Sequence, residues 1–321
     1  MTKAALNFQS KSVAGLRSCI EKNAIQCLDL LTTILSLLLI EMTHGSSGFW
    51  RYHLEAASRY LRSEGFFELW SQSSDAWFAA QSFMLLITGG RSVAPRAWEN
   101  NTLADGQASL FIAGLTESQD YGWTLGASNS VMKAIDAIQA TAGQIRRKGV
   151  HGTAVVAPLH LTQFISECEQ DALGTESDLL MGSLHKSTPE QLHLHAFKTA
   201  TVIYYYQACK EVTPRFLLRY VRSTLDSLMA FCTTCEGAFT LWPLIVSGTE
   251  AYQQHHQDLV LNLLDHAAKR GIRDVTRHRR FIEQVWHIRE TEATESAANV
   301  ADVRVDWKDV IYEHSLDLFV F

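Results

Sequence analysis

The cysteines Cys232 and Cys235 come nearest to a metal-binding pattern in this sequence. The string Cys232-Thr-Thr-Cys235 has the spacing of half a zinc site, but such a site needs about four ligands and there is no second CxxC. On a helix, this spacing places both thiols near one face, which suits packing. The N-terminus does not read as a secretory leader, so reduced, buried thiols are expected for all six cysteines. We therefore interpret the pair as packing residues, with metal or redox use as the alternative.

Histidines occur in two close pairs, and neither pair has the geometry of a metal site. His193 and His195 are two residues apart, so on a helix their rings point about 200° apart. His255 and His256 are adjacent and are expected to diverge for the same reason. No HExxH motif is present. The sequence therefore predicts no metal ligands, and purified protein is expected to contain no stoichiometric zinc.

Nucleophile and phosphate motifs are missing as well. The nearest string to GxSxG is Gly126-Ala-Ser-Asn-Ser130, which ends in the wrong residue. There is neither a GxGxxG nor a P-loop, and no Asp-Asp pair could hold magnesium to a diphosphate. Asp306 beside Trp307 is interpreted as a helix N-cap, with a lone carboxylate site as the alternative. No catalytic or cofactor-binding residue and no cofactor are predicted, although an enzyme with an unrecognised site stays open.

Composition favours a folded chain and limits its partners. Of the 321 residues, 47% are hydrophobic and 19% are charged, so disorder throughout is not expected. The net charge of −6 argues against binding DNA by bulk electrostatics. Two basic stretches, Arg146-Arg147-Lys148 and Lys269 to Arg280, are interpreted as solvated helix faces, with a nuclear-import or phosphate role as the alternative. The apolar run from Leu30 to Ile40 is eleven residues long, too short for a membrane span of about 20 residues, and predicts a buried helix.

Apolar spacing predicts helices along most of the chain. The five prolines are far apart, which leaves room for long helices. Helices are expected at 16–43, from Trp50 to Leu61, at 66–88 closed by Gly89-Gly90, at 129–148, from near Pro158, at 190–210 after Thr188-Pro189, from Pro214, at 255–270 before Gly271, and after a cap at Asp274. The segments 91–127 and 174–188 are expected to be loop-rich. The predicted fold is all-α, an irregular multi-helix bundle of roughly ten or more helices.

Two groups of residues resemble a known family. The first comprises Leu35 to Met42, Ser47-Gly-Phe-Trp50 and His53-Leu54-Glu55-Ala56-Ala57; the second comprises Leu241-Trp242-Pro243-Leu244, Gly248, Glu250-Ala251, Gly271, Val285-Trp286 and Asp306-Trp307. In this order they resemble the fungal-specific transcription factor regulatory domain, the helical C-terminal domain of binuclear zinc cluster transcription factors. The domain would cover residues 30–321, with 1–29 as a lead-in and the start of the first helix.

The physical roles expected for these residues are structural. Pro243 after Trp242 suits a helix start that the indole anchors, and Gly248 would let helices approach closely. Trp286 would bury a large surface. We expect these fold-defining positions to be buried: Trp50, Leu54, Trp242, Leu263, Val285 and Trp286.

The resemblance implies a nuclear regulator of transcription that controls metabolic or secondary-metabolite genes in a fungus. Its partners would be the transcription machinery or a homologous DNA-binding regulator, or a second copy in a homodimer. Members usually begin with a six-cysteine zinc cluster, whereas the cysteines here are scattered from Cys19 to Cys235, so direct DNA binding is not expected of this chain. It would be a truncated member or a stand-alone regulatory domain. The alternatives are a cytosolic all-α enzyme or small-molecule carrier, which a clustered polar pocket would favour, and an inert fragment.

Overall fold

Helices form nearly all of the regular structure in the computed structural model. The structure describes residues 11, 14–15, 27–44, 50, 52–55, 74–93, 122, 125–148, 155–179, 187–272, 275–314 and 318. Within these residues there are eleven helices and no strand, and 82% of the residues are helical. The prediction of an all-α multi-helix fold is confirmed.

The helices are numbered here in chain order. They are α1 (Cys27–His44), α2 (Ser74–Val93), α3 (Asn129–Lys148), α4 (Leu159–Leu179), α5 (Pro189–Cys209), α6 (Pro214–Thr234), α7 (Leu241–Gly248), α8 (Gln254–Lys269), α9 (Val275–Glu295), a 3₁₀ helix (Val300–Asp302) and α10 (Trp307–Glu313). Trp50 and residues 52–55 are also helical. The predicted cap Asp274 and residues 16–26, 56–61 and 66–73 of predicted helices lie outside the described residues.

Local start signals predicted several helices to within one or two residues. Thr188 and Gln191 form a reciprocal capping box at the start of α5, and Pro189 is in the first turn. Pro214 likewise follows a threonine and is the first residue of α6, but the Thr213 side chain makes no capping hydrogen bond. Asp306 is an N-cap, as predicted, and its carboxylate accepts a hydrogen bond from Lys308 N at 3.0 Å.

Two predicted helix limits were wrong. Helix α2 does not end at Gly89-Gly90 but continues to Val93. Both glycines are buried, and Ser92 Oγ donates to Gly89 O at 2.7 Å, so packing outweighs the cost of about 1 kcal/mol per glycine. Likewise, residues 174–179 belong to α4 and not to a loop. Elongating an existing helix costs little, which explains why the polar composition of this stretch did not end it.

The chain divides into two compact units. The first comprises residues 1–87 and 101–118, and the second comprises 88–100 and 119–321. In the first unit α1 and the neighbouring helical residues bury an apolar set that includes Leu31, Leu38, Trp50 and Leu54. The predicted division of the chain at residue 30 stays a prediction.

Helix α5 is the centre of the second unit. It packs against α3, α4, α6 and α7, and most of its residues from Ala196 onward are buried. All eight residues of α7 are buried. The six positions predicted to be buried, from Trp50 to Trp286, are all buried. Among the described helices, none has both the length and the hydrophobicity that a bilayer span requires.

Candidate functional site

The thiols of Cys232 and Cys235 lie at the end of α6 and are both free. Cys232 is in the last turn of α6, but Cys235 is the first residue after the helix. The prediction that the two thiols lie on one helix face was therefore wrong. Cys235 Sγ instead accepts a hydrogen bond from Gly237 N at 3.2 Å. Burial raises the pKa of Cys232, which keeps that thiol protonated and poorly reactive at neutral pH.

The described residues contain no group of three or more His, Cys, Asp or Glu side chains that could hold a metal ion. The absence of stoichiometric zinc stays a prediction.

His193 and His195 point to different partners, as predicted. His193 Nε2 accepts a hydrogen bond from Thr240 N at 3.2 Å, just before α7, while His195 Nε2 lies 2.9 Å from Ser223 Oγ on α6. Burial lowers the pKa of His193 to about 4, so its ring is neutral and suited to accept. A Cβ at Gly126, where φ is +71°, would overlap the His193 ring. His193 is therefore a structural side chain that holds the start of α7.

His255 and His256 do meet, contrary to the prediction. Their Nε2 atoms are 3.0 Å apart and their ring centroids are 3.8 Å apart. The prediction compared directions on an ideal helix, but both residues are in the first turn of α8, where the exposed His255 ring folds over the buried His256. Burial, His255 and Arg222 lower the pKa of His256 to about 4. One ring nitrogen donates and the other accepts, with the roles set by the tautomers of the two rings.

Trp242 forms an aromatic cluster between α5 and α7. Its ring stacks on Phe197 at a centroid distance of 5.8 Å and meets the edge of Tyr204 at 5.7 Å. Its Nε1 donates to Ser92 Oγ in the last turn of α2 at 3.1 Å. The indole thus anchors the first turn of α7, as predicted.

A second cluster, here called the polar cluster, comprises Gln207, Glu250, Arg289 and Trp307. The Arg289 and Glu250 side chains are 1% and 3% exposed, and Arg289 Nη2 lies 3.5 Å from Glu250 Oε2. Gln207 Nε2 donates to Glu250 Oε1 at 2.8 Å, and Gln207 Oε1 accepts from Trp307 Nε1 at 3.0 Å. One chain of contacts therefore joins α5, the end of α7, α9 and α10.

Charge in the polar cluster is only partly compensated. Burial raises the pKa of Glu250, while Arg289 and the hydrogen bond from Gln207 act to lower it. Arg289 Nε donates to Val303 O at 3.2 Å, but neither Nη atom makes a hydrogen bond among the described residues. Such a pair stabilises the fold only while both partners are present. The polar cluster is closed off from solvent. It therefore joins neighbouring helices and is not accessible to a substrate.

The end of α7 is held close to its neighbours. A Cβ on Gly248 would lie 3.1 Å from Val260 Cγ1 on α8 and 3.5 Å from Ile282 Cδ1 on α9. Trp286 Nε1 donates to Gly248 O at 2.8 Å, which satisfies a carbonyl of the last helical turn. The expected roles of Gly248 and Trp286 are both confirmed.

These packing residues are the ones on which the family resemblance depends. The family model described as the fungal specific transcription factor domain matches residues 1–321, the whole of the sequence. The chain belongs to this family. Comparisons with curated proteins and with solved structures gave no match.

Membership of the fungal specific transcription factor domain family gives the chain a role in regulating transcription, and the family is not one of enzymes. Of the residues that carried the resemblance in the second unit, Trp242, Glu250 and Trp307 lie in the aromatic or polar cluster. Gly248 and Trp286 lie beside these clusters at the end of α7, whereas Gly271 is exposed. Sequence reasoning included Glu250 among the fold-defining residues without a role of its own, and it missed Arg289. A signal for Arg289 existed, because it continues the apolar stripe of Ile282, Val285 and Trp286 at helical spacing.

Proposed function

We propose that this chain regulates transcription of metabolic or secondary-metabolite genes in a fungal nucleus, through contacts with other proteins. The observation that carries the proposal is the family match over residues 1–321. The burial of most of the described residues that carry the family resemblance supports it, because these residues hold the fold and leave the helix surfaces for partners. The expected partners are the transcription machinery or a homologous DNA-binding regulator.

Residues 1–321 are not proposed to read DNA directly. The cysteines lack the spacing of the zinc cluster, and the net charge of −6 opposes binding to phosphates. We expect purified protein to bind DNA only in the non-specific range of about 10⁻⁴–10⁻⁶ M at physiological salt, or more weakly. Fluorescence anisotropy with random-sequence duplexes measures this, and tight, sequence-selective binding would contradict it.

The regulatory role is tested by fusing residues 1–321 to a foreign DNA-binding domain. In a fungal host, the fusion is expected to change the output of a reporter that carries the matching DNA site. The double variant Trp242→Ala and Trp286→Ala should lose the effect together with its protein level, because each change removes a buried aromatic ring worth about 3–5 kcal/mol. Tyr312→Ala, at an exposed position, is the matched control and should keep both. An abundant, folded and silent fusion under varied nutrients would refute the role.

The rival interpretation, a helical enzyme or small-molecule carrier, gains no support from the polar cluster. Its side chains are packed in the core and do not line an open pocket. Pockets for small molecules are concave sites with a few polar groups in reach of the ligand. We therefore retain one proposed function.

A further inference from the structure

The charges of α9 are arranged against its own dipole. The helix has no acidic residue in its first turn and no basic residue in its last turn. Instead, Arg277, Arg279 and Arg280 occupy the N-terminal part, and Glu290, Glu292 and Glu295 occupy the C-terminal part. A helix favours the reverse, with anions near its N-terminus and cations near its C-terminus. Local helix stability therefore does not explain this pattern.

The exposed side of α9 carries a stripe of polar residues whose two ends, Arg280 and Glu290, have the reversed charges. Arg280, Glu283, His287 and Glu290 are all exposed and recur at steps of three and four residues, while the opposite side packs on α7, α8 and α10. Arg279 is excluded from the stripe because it pairs with Asp265 on α8 at 2.5 Å. Arg280 and Glu290 make no ion pair within the part of the chain that the structure describes. This stripe is called the α9 face below.

We propose that the α9 face binds the same face of a second copy of this chain, with the two helices antiparallel about a two-fold axis near residue 285. In that arrangement Arg280 of each copy lies opposite Glu290 of the other, and Glu283 lies opposite His287. The two-fold repeats each pair, so a single self-complementary face makes both sets of contacts. The separation of Arg280 and Glu290, about 15 Å along the axis, spans less than three helical turns, so the contact is small. The dimer is accordingly weak and sensitive to salt.

The inference is tested by sedimentation equilibrium of the full chain. Protein at about 5 to about 200 µM is compared at low and high salt, since mass action dissociates a weak dimer on dilution. Raising NaCl from about 50 to about 500 mM shortens the Debye length from roughly 14 to roughly 4 Å and should weaken the association. Arg280→Glu and Glu290→Arg alone should each weaken it about tenfold at low salt, because each turns two attractive pairs into repulsive ones.

The charge swap gives the decisive result. The double variant Arg280→Glu with Glu290→Arg should recover self-association, and a 1:1 mixture of the two single variants should form a heterodimer. Both single changes improve the match with the helix dipole, so thermal melting should show no loss of stability. Arg147→Glu and Glu236→Arg, at exposed positions outside α9, are the controls with matched changes of net charge and should leave the association unchanged.

Two outcomes would overturn the proposal. The first is a monomer at every concentration and salt, or a dimer that neither single variant weakens or the swap fails to recover. The second is a monomer whose Arg280 end binds random-sequence DNA and loses that binding in Arg280→Glu, which would identify the stripe as a phosphate contact.

Discussion

The surroundings of Trp242 and of Arg289 join neighbouring helices by two different physical means. Trp242 is held by ring contacts with Phe197 and Tyr204 and by a neutral hydrogen bond to Ser92. Arg289 is equally buried but depends on a carboxylate and a backbone carbonyl. Dispersion and apolar burial add up over many atoms, whereas a buried charge depends on one partner. We therefore expect substitutions at Trp242 to lower the unfolding free energy in proportion to the atoms removed. The effect of a substitution at Arg289 should instead depend strongly on whether its charged partner is present.

The largest expected effect comes from removing one partner of the buried ion pair. Glu250→Leu leaves a guanidinium that cannot lose its proton, so unfolding free energy should fall by about 3–5 kcal/mol. Arg289→Met should cost less, because Glu250 already has a raised pKa and can become neutral by binding a proton. The double variant should be close to the parent, since an apolar pair replaces the ion pair. Urea unfolding of the parent, the two single variants and the double variant measures the coupling free energy between the two side chains.

The pH dependence sharpens this first prediction. A carboxyl whose folded pKa is raised stabilises the fold below its unfolded pKa and loses that contribution as pH rises through the folded pKa. The loss of unfolding free energy caused by Arg289→Met should therefore become smaller as pH falls, while the loss caused by Glu250→Leu should not. Equal deficits at all pH values, or a double variant that costs the sum of the two singles, would show that the pair is not coupled.

The sequence predicted the apolar part of this contrast and missed the charged part. Trp242, Gly248 and Trp286 were assigned structural roles because size and backbone freedom are properties of single residues. The pairing of Glu250 with Arg289 depends on how α7 and α9 cross, which no local pattern encodes. Similarly, Gly89-Gly90 looked like a helix end until packing within the second unit was known. His255 and His256 were misjudged because ideal helix angles do not fix ring rotamers.

A smaller effect is expected at the neutral hydrogen bond of the aromatic cluster. Trp242→Phe keeps an aromatic ring but loses the indole N–H and part of the ring volume, and should cost about 2 kcal/mol. Ser92→Ala should cost about 1–3 kcal/mol, because it leaves the indole N–H without this acceptor and removes the bond to Gly89 O. In the double variant the coupling should be about 1 kcal/mol, well below that of Glu250 and Arg289. A larger coupling here than in the ion pair would reverse the comparison of the two regions.

The smallest effect at neutral pH is expected from His256→Phe. His256 is buried beside Arg222 and bonded to His255, and its Nδ1 has no hydrogen-bond partner among the described residues. A phenyl ring removes this unsatisfied nitrogen, so stability at pH 7 should change little.

The variant should differ from the parent in acid. The native pKa of His256 is lowered to about 4, whereas an unfolded histidine binds a proton near pH 6.5. Between these values the unfolded state binds more protons, so the parent loses stability as pH falls. The raised pKa of Asp136, about 6, acts in the opposite direction, and His193 acts in the same direction, but both are common to parent and variant. As pH falls from 6.5 to 4, the unfolding free energy of His256→Phe should therefore rise relative to that of the parent in urea titrations. Parallel curves for the parent and His256→Phe would show that His256 is not held neutral by the fold.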